Sequence, residues 1–499
     1  MHLREMLRMK GEKVLVVGLA RSGVGSANLL SNLGYRVCVT DKKQASGLDP
    51  YIRQLNPSVE LSLGGYPESL NGFGLVVVSP GVPLSCEPVI KAREGGVKVI
   101  GEFELAYKAI MSSELRSLGL VKKPEFLAVT GTNGKSTTTT LLDWMLRKSG
   151  FKTLLGGNIG NALTEEIVKA VWGRGTGDSG SEGTSSAVSH RAHYDYIVAE
   201  VSSFQLETID EFRPFGAVIL NITPDHLDRY RSIAEYRDAK AAVSLNQRED
   251  DFLVLNADDP EINKVRSEKL EIRSKKPDMF YFSRQKKVRG VYLKNGVIYC
   301  NFPDSSLLTS HFPLMNADEI KIKGVHNLEN AMAASAMALL AGCRPENVKE
   351  SLKEFPGLEH RLEFVREFEG VRYINDSKGT NVGAVLKSLE SFKEPVVLIA
   401  GGRDKAGDFS PLVPLVRDKV KTLVLIGEAA VKIMKALGGL TDTIIASDIK
   451  DAVNVAKKKA AEGDVVLLSP ACASFDMFKD FEDRGRQFKQ AVMGLEKAC

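Results

Sequence analysis

Apolar residues fall along this chain in short unbroken runs, and between the runs they recur every three or four positions. A run such as Val14-Leu15-Val16-Val17 or Leu75-Val76-Val77-Val78 reads as a strand covered on both faces, and the spaced intervals read as amphipathic helices. The first series passes from Val14–Gly18 through the turn Leu19–Gly23 into a helix ending at Gly34. It continues as the strand Arg36–Asp41 and the run into Ser79-Pro80-Gly81. A second series opens near Gly101 and includes the strands Tyr196–Glu200, Ala217–Asn221 and Phe252–Asn256. The third begins near Leu358, with strands Val396–Ala400, Thr422–Ile426, Thr443–Ala446 and Val465–Leu468. Such alternation predicts an α/β protein of three domains, 1–101, 102–357 and 358–499, each built on a mostly parallel sheet. The stretch after Trp172, Gly-Arg-Gly-Thr-Gly-Asp-Ser-Gly-Ser-Glu-Gly-Thr-Ser-Ser, has no apolar period, so an insertion at about 173–193 is expected on the surface. Removal of 174–190 should leave folding and turnover intact.

Composition narrows the classes of function. A chain of 499 residues with 43% hydrophobic residues can bury several cores. The net charge of +4 is small and both signs are interspersed, which points away from nucleic acid and membrane surfaces and towards small-molecule partners. The six cysteines form no C-x-x-C pair, so neither a metal knuckle nor a disulfide framework is expected, and a reducing cytoplasm fits. Charges run through Lys13, and only seven apolar or glycine residues follow before Arg21, too few for a spanning helix or an export signal.

The string Thr130-Gly131-Thr132-Asn133-Gly134-Lys135-Ser136-Thr137-Thr138 lies between an apolar run and a helical pattern. Its glycines allow successive N–H groups to face one anion, Lys135 supplies a charge for terminal phosphates, and Ser136 or Thr137 can hold magnesium. The chain should therefore bind and cleave a nucleoside triphosphate. A glycine five residues before Gly134 would complete the general phosphate-loop pattern, and Val129 stands there instead. Ligands of open parallel sheets bind where strands end, which draws attention to Asp41, Glu200, His226, Gly401–Lys405 and Ser469–Ser474.

These strings together resemble the Mur ligases, ATP-dependent amide-forming enzymes that build the peptide stem of peptidoglycan. The resemblance covers nearly the whole chain and rests on TGTNGKST (130–137), GGNIG (156–160), EVSSFQL (200–206), NITPDHLDRY (221–230), YRDAK (236–240), GVHNLENA (324–331), LEHRLE (358–363) and NDSKGTN (375–381). The opening VVGLARSG, the SPG turn and the ending LSPACASFDMFKDF look like the members that add D-glutamate to UDP-N-acetylmuramoyl-L-alanine. The insertion departs from the usual family length.

The resemblance implies a Rossmann-like UDP-binding first domain, a central P-loop ATPase-type domain and a Rossmann-like third domain that binds the amino acid. It assigns ATP to Gly131, Thr132, Asn133, Gly134, Lys135, Ser136, Thr137, Thr138, Asn327, Arg361 and Asp376. Two magnesium ions fall to Ser136, Thr137, Glu200, His226 and a carbamylated Lys240, with Lys378 near the γ-phosphate. The UDP substrate falls to Ser22, Asp41, Ser79, Gly81, Asn158, Ser202 and Gln205. D-glutamate falls to Thr380, Lys405, Ser474, Phe475 and Phe481. A monomer is implied. A folylpolyglutamate-type ligase would share the phosphate loop but lack the first domain, and a dinucleotide oxidoreductase would not need Lys135, Glu200, His226 and Lys240 together.

Overall fold

The computed structural model describes residues 13–117, 123–173, 193–226, 229–265, 276–302, 311–404 and 407–496. The expected insertion thus falls almost wholly outside the described residues, as does Lys405. Among the described residues three sheets carry the fold, and each core strand is apolar on both sides because helices cover both faces.

The first sheet comprises β1 (Lys13–Val17), β2 (Arg36–Asp41), β3 (Glu60–Leu63), β4 (Phe73–Val78) and β5 (Lys98–Gly101). It is parallel throughout in the order β3-β2-β1-β4-β5, so the chain reverses its direction of winding between β1 and β4. That gap is the crevice where an open α/β sheet receives a ligand, and Gly18, Asp41 and Ser79 stand at its mouth.

The second sheet holds β6 (Glu125–Thr130), β7 (Thr153–Gly157), β8 (Tyr196–Glu200), β9 (Gly216–Ile219), β10 (Phe252–Asn256), β11 (Asp278–Ser283), β12 (Gly290–Lys294), β13 (Val297–Asn301) and β14 (His311–Asn316). Its order is β14-β13-β12-β11-β10-β9-β6-β8-β7. The section from β7 to β12 is parallel, whereas β13 and β14 run antiparallel at one edge, an addition that the run pattern did not announce. Alternation along β6 sends Phe126 and Ala128 into one core and Leu127 and Val129 into another. The second core is closed by helices Lys135–Lys148 and Val325–Leu340, where a row of alanines lets the helices approach closely.

The third sheet contains β15 (Glu363–Phe368), β16 (Val371–Asn375), β17 (Val396–Gly401), β18 (Val420–Ile426), β19 (Asp442–Ile445) and β20 (Val465–Leu468). In the order β15-β16-β20-β17-β18-β19 only the edge pair β15–β16 is antiparallel. β20, last in sequence, lies between β16 and β17 and brings three distant loops to one edge.

Candidate active site

The phosphate loop follows β6 and opens helix Lys135–Lys148. Gly131 and Gly134 have φ of +149° and +84°, and a Cβ on Gly134 would overlap the Asn330 amide oxygen. The loop is stapled to the end of β9. Thr132 N donates to Asn221 O (2.9 Å), Asn133 N donates to Asn221 Oδ1 (2.8 Å), and Asn221 Nδ2 donates to Asn133 O (3.1 Å). The first intrahelical bond runs from Thr138 N to Gly134 O, so the N–H groups ahead of it point out of the helix end, where an anion is favoured.

Two lysines converge on one carbonyl. Lys135 Nζ donates to Gly131 O (3.0 Å) and Thr132 O (2.8 Å), and Lys240 Nζ donates to Gly131 O (2.7 Å). Burial lowers the pKa of both. The Lys135 charge depresses Lys240 further, to well below the ordinary lysine range, while Asp225 and Glu200 act in the opposite direction. Lys240 lies near the end of helix Ile233–Ala241, 1% exposed, with Nζ 4.5 Å from the centre of the Tyr236 ring. Tyr236 in turn shares a 3.3 Å hydrogen bond with Thr132 Oγ1.

Glu200 ends β8 and is 2% exposed. Its Oε1 accepts from Asn158 Nδ2 (2.8 Å), whereas Oε2 is buried with no hydrogen-bond partner among the described residues. A buried oxygen of that kind fits a hard divalent cation. His226 has a left-handed backbone (φ +55°), lies edge-on to Phe204 (4.8 Å between centroids), and has Nε2 3.8 Å from Asp225 Oδ2. Ser136 Oγ accepts from Arg361 (2.8 Å), Thr137 is buried, and Thr138 Oγ1 is buried without a partner among the described residues.

A cavity of about 300 Å³ opens beside the loop, lined among others by Asn133, Thr137, Asn327, Arg361, Asp376 and Lys378. Burial raises the Asp376 carboxyl to about 6, although Ser388 and Ser469 each donate to it at 2.7 Å. Burial, followed by the neighbouring Arg361, lowers Lys378 to about 8; its Nζ lies 3.6 Å from the Phe481 ring centre. The structure therefore gathers Lys135, Glu200, Lys240, Arg361 and Lys378 into one electrostatic cluster.

The remaining candidates lie apart from that cluster or are engaged locally. Asp41 accepts from Leu19 N (2.8 Å) and Lys43 N (2.9 Å), and Ser79 Oγ donates to Gly18 O (3.0 Å), so both shape the turn of the first sheet. Ser22 lies in the first turn of helix Arg21–Asn32, and Gly81 is exposed in the turn after β4. Ser202 and Gln205 form a capping box on helix Ser203–Leu206, directly after Glu200. Thr380 follows Lys378, Ser474 is buried, and Phe475 is 62% exposed.

Several residues of the site are not obvious from residue type. Asn381 caps helix Val382–Glu390 and contacts Asn133 and Asp225 (both 3.4 Å). His326 lines the cavity, and burial, helped by Arg361, lowers it to about 4. Arg284 reaches the cavity and pairs with Glu329 (2.7 Å). His326 and Asn330 lie within GVHNLENA and Asn381 within NDSKGTN; Arg284 lies in no such string.

Three family models match the chain. The Mur ligase MurD-like N-terminal domain matches residues 12–101, the Mur ligase middle domain 129–338, and the Mur ligase glutamate ligase domain 360–472. The chain is 44% identical to the UDP-N-acetylmuramoylalanine--D-glutamate ligase of Geotalea daltonii, over 98% of this chain and 99% of that protein. It is also 44% identical to the protein of the same name from Pelotomaculum thermopropionicum, over 97% and 98%. Among solved structures, a pseudomurein peptide ligase type C from Methanothermus fervidus shares the fold at TM-score 0.57 and 17% identity, covering 97% of this chain and all of that one (100%). A UDP-N-acetylmuramate-alanine ligase from Thermotoga maritima does so at TM-score 0.54 and 20% identity, covering 96% and 99%.

Proposed function

Because the chain belongs to the Mur ligase family, we propose that it joins D-glutamate to UDP-N-acetylmuramoyl-L-alanine with cleavage of ATP to ADP and phosphate, in peptidoglycan synthesis. The observation that carries this reading is the end-to-end match to relatives named for that reaction. It acts as a monomer, and in the cytoplasm, a reducing compartment where free cysteines such as the five described, all buried, persist.

The alanyl carboxylate attacks the γ-phosphorus, the bond to the bridging oxygen breaks, and ADP leaves. The amine of D-glutamate adds to the resulting acyl phosphate, loses a proton and expels phosphate. Negative charge accumulates in both steps, and Lys135 and Lys378, lowered by burial in the empty site but held charged beside bound phosphates, supply cations to stabilise it. Arg361, Asn327 and Asp376 hold the nucleotide in the cavity beside the loop. Asn158 and Ser202 orient the muramoyl peptide, and the turn around Ser22, Asp41, Ser79 and Gly81 holds UDP. Two magnesium ions, when bound, neutralise phosphate oxygens; Ser136 or Thr137 with Glu200 would hold one, and His226 the other. Glu200 Oε2, buried and without a hydrogen-bond partner among the described residues, supports the first of these.

Lys240 is carbamylated in this reading. Its burial favours the neutral amine, whose attack on carbon dioxide with loss of a proton yields an anion where an ammonium would oppose magnesium. Lys240→Ala should lose most activity and recover part of it with short carboxylates; full activity without them would remove the carbamate from the scheme. The function itself is tested by phosphate release from ATP across UDP-muramoyl acceptors and amino acids. Release should require UDP-N-acetylmuramoyl-L-alanine and D-glutamate together, and comparable product with L-glutamate or a diamino acid would overturn the assignment.

A further inference from the structure

Arg484 is the largest fully buried side chain among the described residues, 0% exposed in the first turn of helix Phe481–Met493. Its Nε donates to Ser377 Oγ (3.0 Å), and one terminal nitrogen donates to Ser377 O (2.8 Å) and Cys472 O (3.3 Å). The other reaches Gly401 O (3.4 Å), Cys472 O (3.3 Å) and Ala473 O (3.4 Å). The acceptors are carbonyls and one hydroxyl, and no carboxylate pairs with the guanidinium among the described residues. Buried arginines are ordinarily paired with an acid, because an unpaired charge in the interior is costly.

The acceptors come from the ends of β16, β20 and β17, three adjacent strands of the third sheet. The loops that continue from those ends carry Lys378 and Thr380, Ser474 and Phe475, and Arg403 and Asp404. Arg403 and Ala473 exchange backbone bonds (2.8 and 3.1 Å), which joins the second and third of these loops above the guanidinium. Ser377 Oγ also donates to Phe481 O (2.8 Å), so the same residue ties the first loop to the helix start that supports Lys378. A planar fork can hold three loops in a fixed relation, which a lysine's single ammonium cannot.

We infer that Arg484 is a positioning residue for the amino-acid substrate: it sets the relative placement of the three loops that receive D-glutamate without touching the substrate itself. The inference rests on the function proposed above. Burial lowers the guanidinium to about 10, so it stays charged near neutral pH and adds to the field that draws a dicarboxylate to these loops.

The experiment compares steady-state kinetics of the full chain with those of Arg484→Lys and Ser377→Ala. D-Glutamate-dependent ADP release by the parent chain tests the proposed function; its absence would defeat that reading before the variants are considered. Given parent activity, Arg484→Lys should raise KM for D-glutamate about tenfold or more, the scale of lost hydrogen bonds to a charged group. KM for ATP and for the UDP substrate should stay within about twofold. Ser377→Ala, a milder change that removes one acceptor, should shift the same KM in the same direction and serves where Arg484→Lys does not fold. A lowered melting temperature with all three KM values unchanged, or raised equally, would overturn the inference.

Discussion

Asp376 is enclosed by Ser388, Ser469 and the backbone of Leu362, and burial lifts its carboxyl from 3.8 to about 6. Between those values the folded chain keeps a proton that the unfolded chain has lost. The group's contribution to stability is therefore complete below about pH 4 and is lost as pH rises through about 6. The shift of roughly two units corresponds to roughly 3 kcal/mol. The melting temperature of Asp376→Asn relative to the parent should accordingly climb between about pH 4 and 6 and then level off. A difference that stays constant over that range would show that the carboxyl titrates normally.

Helix Arg21–Asn32 crosses the start of helix Leu163–Trp172 at Gly25, where a Cβ would lie 2.5 Å from Thr164 Oγ1 and 3.1 Å from Glu165 N. Thr164 cannot easily yield, because its N and Oγ1 both donate to buried Glu102 (2.9 and 2.8 Å). Glycine inside a helix gives up about 1 kcal/mol of helix propensity, and overpacking a close crossing costs about 1–3 kcal/mol. The crowding should win for a branched side chain. Gly25→Val is expected to destabilise the chain by about 2 kcal/mol in urea unfolding, and an unchanged midpoint would mean that the two helices part freely.

The first and second sheets share one continuous apolar cluster that runs from Val14 and Leu75 through Phe103 and Phe212 to Phe126 and Ile219. The third sheet has its own clusters, and around the phosphate loop it meets the central unit through polar contacts, Arg361 to Ser136 and Asn381 to Asn133 and Asp225. Polar interfaces permit relative motion, so nucleotide bound in the cavity between the two should draw them together. At a nucleotide concentration about 100 times Kd the parent should gain about 2.7 kcal/mol of stability. Arg361→Lys, lacking the fork that reaches Ser136, should gain much less at the same concentration. Equal gains would place Arg361 outside nucleotide binding.

The long apolar strands and the phosphate loop were legible along the chain because both are local: an apolar run must be covered on both faces, and a loop that curls needs glycine at Gly131 and Gly134. The motif strings likewise marked Glu200, Lys240, Arg361 and Lys378, which the structure draws around Lys135 from separate elements. Strands β13, β14 and β15, of which the last two lie at sheet edges, are half-exposed and so carry too weak an apolar signal to stand out along the chain. Tertiary structure alone decided which polar groups are taken up and which stay free. Asp41 and Ser79 brace a turn, Glu200 keeps one oxygen without a partner among the described residues, and Arg484 gathers carbonyls from three loops. Such satisfaction depends on groups far apart in the chain, and no local pattern encodes which of them will meet.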